Sequence, residues 1–388
     1  MSGQLTKATG LTRVNELYQN RTERAKELKK EGRRIIGYLC GFSPPEMMTA
    51  LDMVPLRIMG NVNEPITQAD AYLETIMCPF VRSCFDLAMK GNYDFLDGLL
   101  VPHSCDTVAR IKGIWSYYKP TAFSYFMNVP HMVHSGSREF FKNELQSLRS
   151  ALEEFAGSKL TDARLAQAVK LHNENRALLR QLYYLRKGNP PLLSGAETTR
   201  TLVVNMSLPV QEGNELLRQV IKDASSRQTN RPGKKSARIM IYGSEIDNDA
   251  FIKLVEDSGA NVVIDDLCIG TKYFWHDVKP TADPLDGIAD RYLDKLTCPR
   301  TYRDSPGEHK ADLEQRFGHL KNFASDWKID AAILYVMRYC DTFELDAPDV
   351  REYLEGLGYS VLHLEDDYSM ATMGQLTTRI QSFLEMIQ

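Results

Sequence analysis

Cysteines are the residues of this chain best suited to chemistry, and three of its seven crowd into "CPFVRSCFDLAMKGNYDFLDGLLVPHSCDT", residues 78–107. A cysteine inside a cell serves as a buried small hydrophobe, a nucleophile or a metal ligand, and its place on the fold separates these uses. Cys105 follows the apolar run "FLDGLLVPHS" and Cys340 follows "AAILYVMRY". Both are expected at the carboxyl ends of buried strands, where open α/β sheets bind ligands. Cys78 precedes Pro79 and an amphipathic stretch, which places it at a helix N-terminus whose dipole favours a thiolate. Three thiolates converging from such positions would suit an iron–sulfur cluster; cysteines simply buried at strand ends are the alternative. The spacings match no compact ferredoxin or zinc-ribbon pattern.

The other thiols rank by the same logic. Cys84 is six residues past Cys78, about 240° further round a helix, and is expected to pack inward. Cys40, closing "RRIIGYLC", and Cys268, closing "ANVVIDDLC", stand in reserve as ligands, whereas Cys298, before Pro299 in a polar loop, reads as structural. His103 is a candidate proton donor, since imidazole titrates near neutrality, against a purely structural role at a strand end. Ser104, Arg338 and Asp341 flank the thiols and are candidates for tuning them. Asp265 and Asp266 form a carboxylate pair that fits acid–base work or, the favoured reading, an N-cap and its neighbour.

These residues need a scaffold, and the rest of the chain describes one. With 388 residues, 43% hydrophobic and 25% charged, the chain is long enough for two cores of common domain size. A net charge of -4 leaves no broad cationic face, so nucleic acid is not an expected partner. The N-terminal stretch lacks a signal-type apolar core, and no apolar run reaches the length of a membrane span. A cytoplasmic location is expected, with its odd set of cysteines reduced.

Short apolar runs alternate with helical stretches twice along the sequence, the rhythm of parallel sheets. The expected fold is α/β: two doubly wound parallel-sheet lobes with a helical N-terminal arm and a helical insert between the lobes. The boundaries are residues 1–34 for the arm, 35–134 for the first lobe, 135–232 for the helical linker and 233–388 for the second lobe. There is no G-x-G-x-x-G after a strand, no G-x-x-x-x-G-K-[ST] and no H-E-x-x-H.

The segments "GYLCGFSPPEMMTALDMVPLRIMG", "CPFVRSCFDLAMKGNYDFLDGLLVPHSCDTVARIKGIW", "DDLCIGTKYFW" and "MRYCDTFELDAPDVREYLE" resemble the benzoyl-CoA reductase and 2-hydroxyacyl-CoA dehydratase family over roughly residues 35 to 388. Within it, the length and the "GYLCGFSPPEMM" opening look most like the smaller, C-type subunit of ATP-dependent benzoyl-CoA reductase. The resemblance implies a protomer that binds a [4Fe–4S] cluster through three cysteines, here Cys78, Cys105 and Cys340. It implies a related larger B-type subunit as partner, ATP-hydrolysing activator subunits carrying their own iron–sulfur cluster, and an aromatic acyl-CoA substrate whose ring is reduced.

The smaller subunit of a 2-hydroxyacyl-CoA dehydratase is the alternative within the family, and a double-cubane cluster relative is a further one. The dehydratase subunit that performs catalysis has a serine after its first strand and an acid beyond its second; this chain has Gly41 and Met59 there. For a CoA thioester, "WSYY" (115–118) and "KYFWH" (272–276) are expected to wall a pocket or pack a core, and Arg82 and Lys272 to meet phosphate or solvent.

Overall fold

The structure, a computed structural model, describes residues 9–227, 231–305 and 307–387. Its ten described strands are β1 (Ile35–Tyr38), β2 (Val54–Arg57), β3 (Gly98–Pro102), β4 (Phe123–Met127), β5 (Met132–Val133), β6 (Ala237–Gly243), β7 (Ala260–Asp266), β8 (Tyr302–Arg303), β9 (Ala331–Met337) and β10 (Ser360–Asp366). One sheet has the order β2-β1-β3-β4 and a second β10-β9-β6-β7, all parallel. The first sheet lies wholly in the first half of the chain and the second wholly in the second half. The two-lobed α/β reading of the sequence therefore holds, with an inner pair of strands in each lobe flanked by one strand on either side.

Burial of the long strands of the second sheet matches its parallel pairing. β6, β7 and β9 are buried along all seven residues, as continuous apolar strands covered on both faces must be. Gly243 ends β6 opposite Tyr335 of β9. A Cβ there would come 2.0 Å from the Tyr335 carbonyl oxygen, so glycine lets the two strands approach just before Ser244.

Helices Ser135–Ala156, Asp162–Tyr184, Gly195–Asn205 and Val210–Ser226 run between β5 and β6. The first turns Phe141, Leu145, Leu148 and Leu152, at helical spacing, onto Ile36, Tyr38 and Leu100 of the first sheet. The second and fourth bury Leu179, Leu182, Leu217 and Val220 with Met240 and Val263 of the second sheet. Helix Gly10–Gln19 of the N-terminal arm lies on the third and fourth. The third starts at a capping box, Ser194 with Glu197.

A buried ion pair stitches these parts together. Arg176, on helix Asp162–Tyr184, bonds Glu46, and Tyr292 donates to the other Glu46 oxygen at 2.9 Å. Burial alone would raise the Glu46 carboxyl, but Arg176 beside it holds it down at about 2. A carboxyl depressed in the folded state contributes stability above its unfolded value of about 4.5 that is lost as pH falls towards 2. Arg176→Met is expected to cost about 3–5 kcal/mol at pH 7 and to abolish that acid-side loss. Urea unfolding at pH 7 and at successively lower pH checks it; a wild-type unfolding energy at pH 7 would overturn it.

Candidate functional site

In each sheet the chain crosses from one side of an inner strand to the other, leaving a crevice at that switch point. In the first sheet the switch lies between β1 and β3, whose ends carry Cys40 and Cys105; in the second it lies between β6 and β9, whose ends carry Ser244 and Cys340. Cys40 and Tyr339, the residue before Cys340, adopt φ of 58° and 63°. Left-handed backbone at a non-glycine residue costs on the order of 1–3 kcal/mol and gathers at functional turns.

Cys78, Cys105 and Cys340 are each the N-cap of a helix: Pro79–Met89, Asp106–Tyr118 and Asp341–Gly356. The N–H groups of Val81, Val108 and Phe343, at the third helical positions, face these sulfurs and favour their thiolates.

The thiols meet in a cavity of about 80 Å³ lined by Cys40, Cys78, Cys105, Cys268, Cys298 and Cys340. Cys340 neighbours both Cys78 and Cys105, and Cys105 neighbours Cys78; Cys40, Cys268 and Cys298 form a second group, and Cys40 also neighbours Cys105. The first lobe supplies two members of the first group and one of the second, and the second lobe supplies the reverse. Cys84 is fully buried in the hydrophobic core and does not line the cavity.

Electrostatics here pull in two directions. The thiol of Cys78 is raised by its bond to Cys340 and by burial, while the same contact lowers Cys340. Burial pushes Cys105 and Cys298 each up to about 12 and, with Glu245 beside it, raises Cys268 well above its usual value. Against this stand two buried cations on the cavity wall, Arg57 and Arg300. Arg57 gives one terminal nitrogen to both Glu245 oxygens at 2.8 and 3.0 Å, but its Nε has no partner. The Oγ atoms of Ser104 and Ser244, also on the wall, are buried without a well-formed hydrogen bond and face the sulfurs of Cys105 and Cys340.

Among the described residues, no three His, Cys, Asp or Glu side chains close on one point as a single-ion site requires. Thiols spread round a cavity wall instead suit a group of several metal atoms, and soft thiolates are ligands of zinc and of iron–sulfur centres.

Other expected site residues lie elsewhere. His103 is half-buried, its ring 4.8 Å from that of His131 and 5.6 Å from that of Phe126, and is absent from the cavity lining. Arg338 is exposed, as is Asp341, so of the flanking residues only Ser104 reaches the cavity. Cys298, for which a structural role is expected, also lines it.

Asp265 and Asp266 are not helix caps. Asp265 accepts from Tyr183 at 2.8 Å and Arg186 at 3.0 Å, and Asp266 pairs with buried Lys272 and with His319 at 3.1 Å. Lys272 is thereby consumed, and Arg82 bonds Asp70 and the Thr75 carbonyl. Trp115 packs on Phe85 and Tyr93, and Trp275 on Phe323 and Trp327, so these two tryptophans serve the core, whereas Tyr117 and Tyr118 are exposed. Sequence reasoning missed Arg57, Ser244, Glu245 and Arg300, which no spacing signals.

The profile of the family described as 2-hydroxyglutaryl-CoA dehydratase, D-component, matches residues 40–387. The chain belongs to this family. Among family relatives it is 28% identical to the C subunit of the benzoyl-CoA reductase of Thauera aromatica over 87% of each chain. It is 26% identical to the putative dehydratase subunit YjiM of Escherichia coli K12 over 93% of each. With the (R)-phenyllactyl-CoA dehydratase beta subunit of Clostridium sporogenes it shares 23% over 93% of this chain and 94% of that one. The family thus spans reductase and dehydratase subunits, oxidoreductases and lyases. No helix among the described residues is long and apolar enough to cross a membrane.

The cavity makes an order of reactivity measurable. In the reduced chain Cys40, Cys105 and Cys298, half-buried at the cavity, are expected to react with iodoacetamide well before Cys84, which should wait for unfolding. Peptide mapping by mass spectrometry gives the order, and a Cys84 that reacts alongside the others would misplace it.

Proposed function

We propose that this chain is the iron–sulfur subunit of an ATP-dependent, dearomatising reductase of the benzoyl-CoA reductase type, receiving electrons from a separate ATP-hydrolysing activator. Cys78, Cys105 and Cys340 are its assigned [4Fe–4S] ligands. The observation that carries the reading is the convergence of N-capping thiols from both lobes on one cavity. The donor set fits such a group: the unpartnered Ser104 and Ser244 hydroxyls and the Arg57 Nε are donors available to anionic sulfur. A cluster held there would supply an electron at low potential.

The chain's own residues would do the rest. The helix N-termini hold the thiolates, and Val81, Val108, Met337 and Phe343 on the wall keep water from them. At about 80 Å³ the cavity is far below the ~300–1,000 Å³ of ordinary ligand pockets. This favours electron delivery by this subunit, with the acyl-CoA on a related larger partner. Met59, where the catalytic dehydratase subunit would need an acid, is buried with Val203, Met206 and Ile269 and does not line the cavity.

One observation favours a second reading. Cys40, Cys268 and Cys298 line the same cavity, so six thiols are available, a number that would suit a double-cubane cluster rather than a single cubane. Iron and acid-labile sulfide in anoxically purified protein separate the two: about four irons per chain for the first, roughly twice that for the second. Cys105→Ala and Cys340→Ala should each lower the iron content in either case, and full retention would sink the ligand assignment. With activator and ATP, continuous reductant consumption tied to benzoyl-CoA loss supports the reductase, while many turnovers of a 2-hydroxyacyl-CoA per electron would point to the dehydratase alternative.

A further inference from the structure

Arg300 stands between Cys298 and β8, 8% exposed, with its guanidinium on the cavity wall. Its Nε donates to the Ser104 carbonyl at 2.8 Å, one terminal nitrogen to His103 at 2.7 Å and Val129 at 2.9 Å, and the other to Pro130 at 2.5 Å, all at main-chain oxygens. The Phe42 ring lies 4.8 Å from its central carbon. Main-chain carbonyls satisfy these donors but leave the charge unneutralised, and among the described residues no carboxylate forms a salt bridge with it. A buried charge without a counter-charge is costly. Burial lowers its guanidinium, and the sulfurs of Cys298, Cys40 and Cys105 beside it would offset the charge once ionised. The same bonds tie the loop that carries Cys105 to the segment that carries Cys298, two parts of the chain almost 200 residues apart.

We propose that Arg300 is a positioning residue of the thiol site: a fixed cation that clips the Cys105 loop to the Cys298 segment and gives the cavity a positive wall, so that it selects anionic occupants. The iron assignment is needed only for the second arm of the test below.

In the first arm, the reduced, metal-free full-length chain is alkylated in parallel with iodoacetate and with iodoacetamide at one pH. The ratio of the two rates at each cysteine cancels the thiolate fraction and reports local potential. Arg300→Gln is expected to lower that ratio at Cys40, Cys105 and Cys298 about five-fold, the effect of a unit charge about 4 Å away in water-like surroundings. Arg300→Lys should keep it near wild type. Equal ratios in wild type and Arg300→Gln, or an equal fall in both variants, would overturn the proposal. Should Arg300→Gln not fold, the wild-type ratio at these three cysteines must exceed that of the urea-unfolded chain, and a ratio at or below it counts against the cation.

In the second arm, the iron-loaded variants are titrated. The reduction midpoint should move to more negative potential in Arg300→Gln and return in Arg300→Lys; a merely structural clip would alter iron content in both without separating their midpoints. Wild-type protein that takes up no iron would sink the iron–sulfur reading and leave the alkylation ratios standing.

Discussion

Gathering sulfur away from water is the constraint on which this structure is organised. Burial in an apolar cavity makes a thiol harder to ionise, and it raises Cys105, Cys268 and Cys298. Fixed positive potential opposes it, from the N-termini of helices Pro79–Met89, Asp106–Tyr118 and Asp341–Gly356 and from the guanidinium of Arg300, while Arg57 on the same wall is paired with Glu245. Only the helix ends, and Arg300 beside Cys298, are local to a thiol in sequence. The long-range packing of both sheets is what brings the rest into place.

Strand order is how the chain meets that constraint. In each sheet two inner strands sit side by side with the connections leaving them on opposite sides, and the gap at their carboxyl edge exposes helix N-termini and loop backbone together. Two such gaps facing each other make a closed site from open halves. The left-handed backbone at Cys40 and Tyr339 is the local strain accepted to turn the chain sharply there. Glycine at position 243 lets β6 and β9 draw close beneath it.

Much of this was legible in the sequence. Continuous apolar runs and their helical partners marked both lobes, and Cys78, Cys105 and Cys340 could be placed because a proline or a buried strand stood directly beside each. Cys298 could not, since it lies in irregular chain between the π-helical turn Asp290–Asp294 and β8, where no periodicity fixes direction. Arg57 looked like one more residue of a strand, and its meaning depends on Glu245, 188 positions away. Arg300 acquires its role from four carbonyls on two remote loops. Asp265 and Asp266 were misread for a related reason: their side chains are taken by Tyr183, Arg186, Lys272 and His319 on packed neighbours, to which a local capping rule had no access.

The division of the six thiols between the lobes also has a consequence in time. Cys40, Cys78 and Cys105 leave the ribosome before the other three, and Cys340 follows Cys105 by 235 residues, roughly 12 to 47 seconds of synthesis at about 5–20 residues per second. During that interval a first lobe able to fold presents three thiols, two of them at helix N-termini, with no opposing wall. The nascent chain is therefore most exposed to oxidants and stray soft metals in that interval, and a complete site exists only once both lobes have been made.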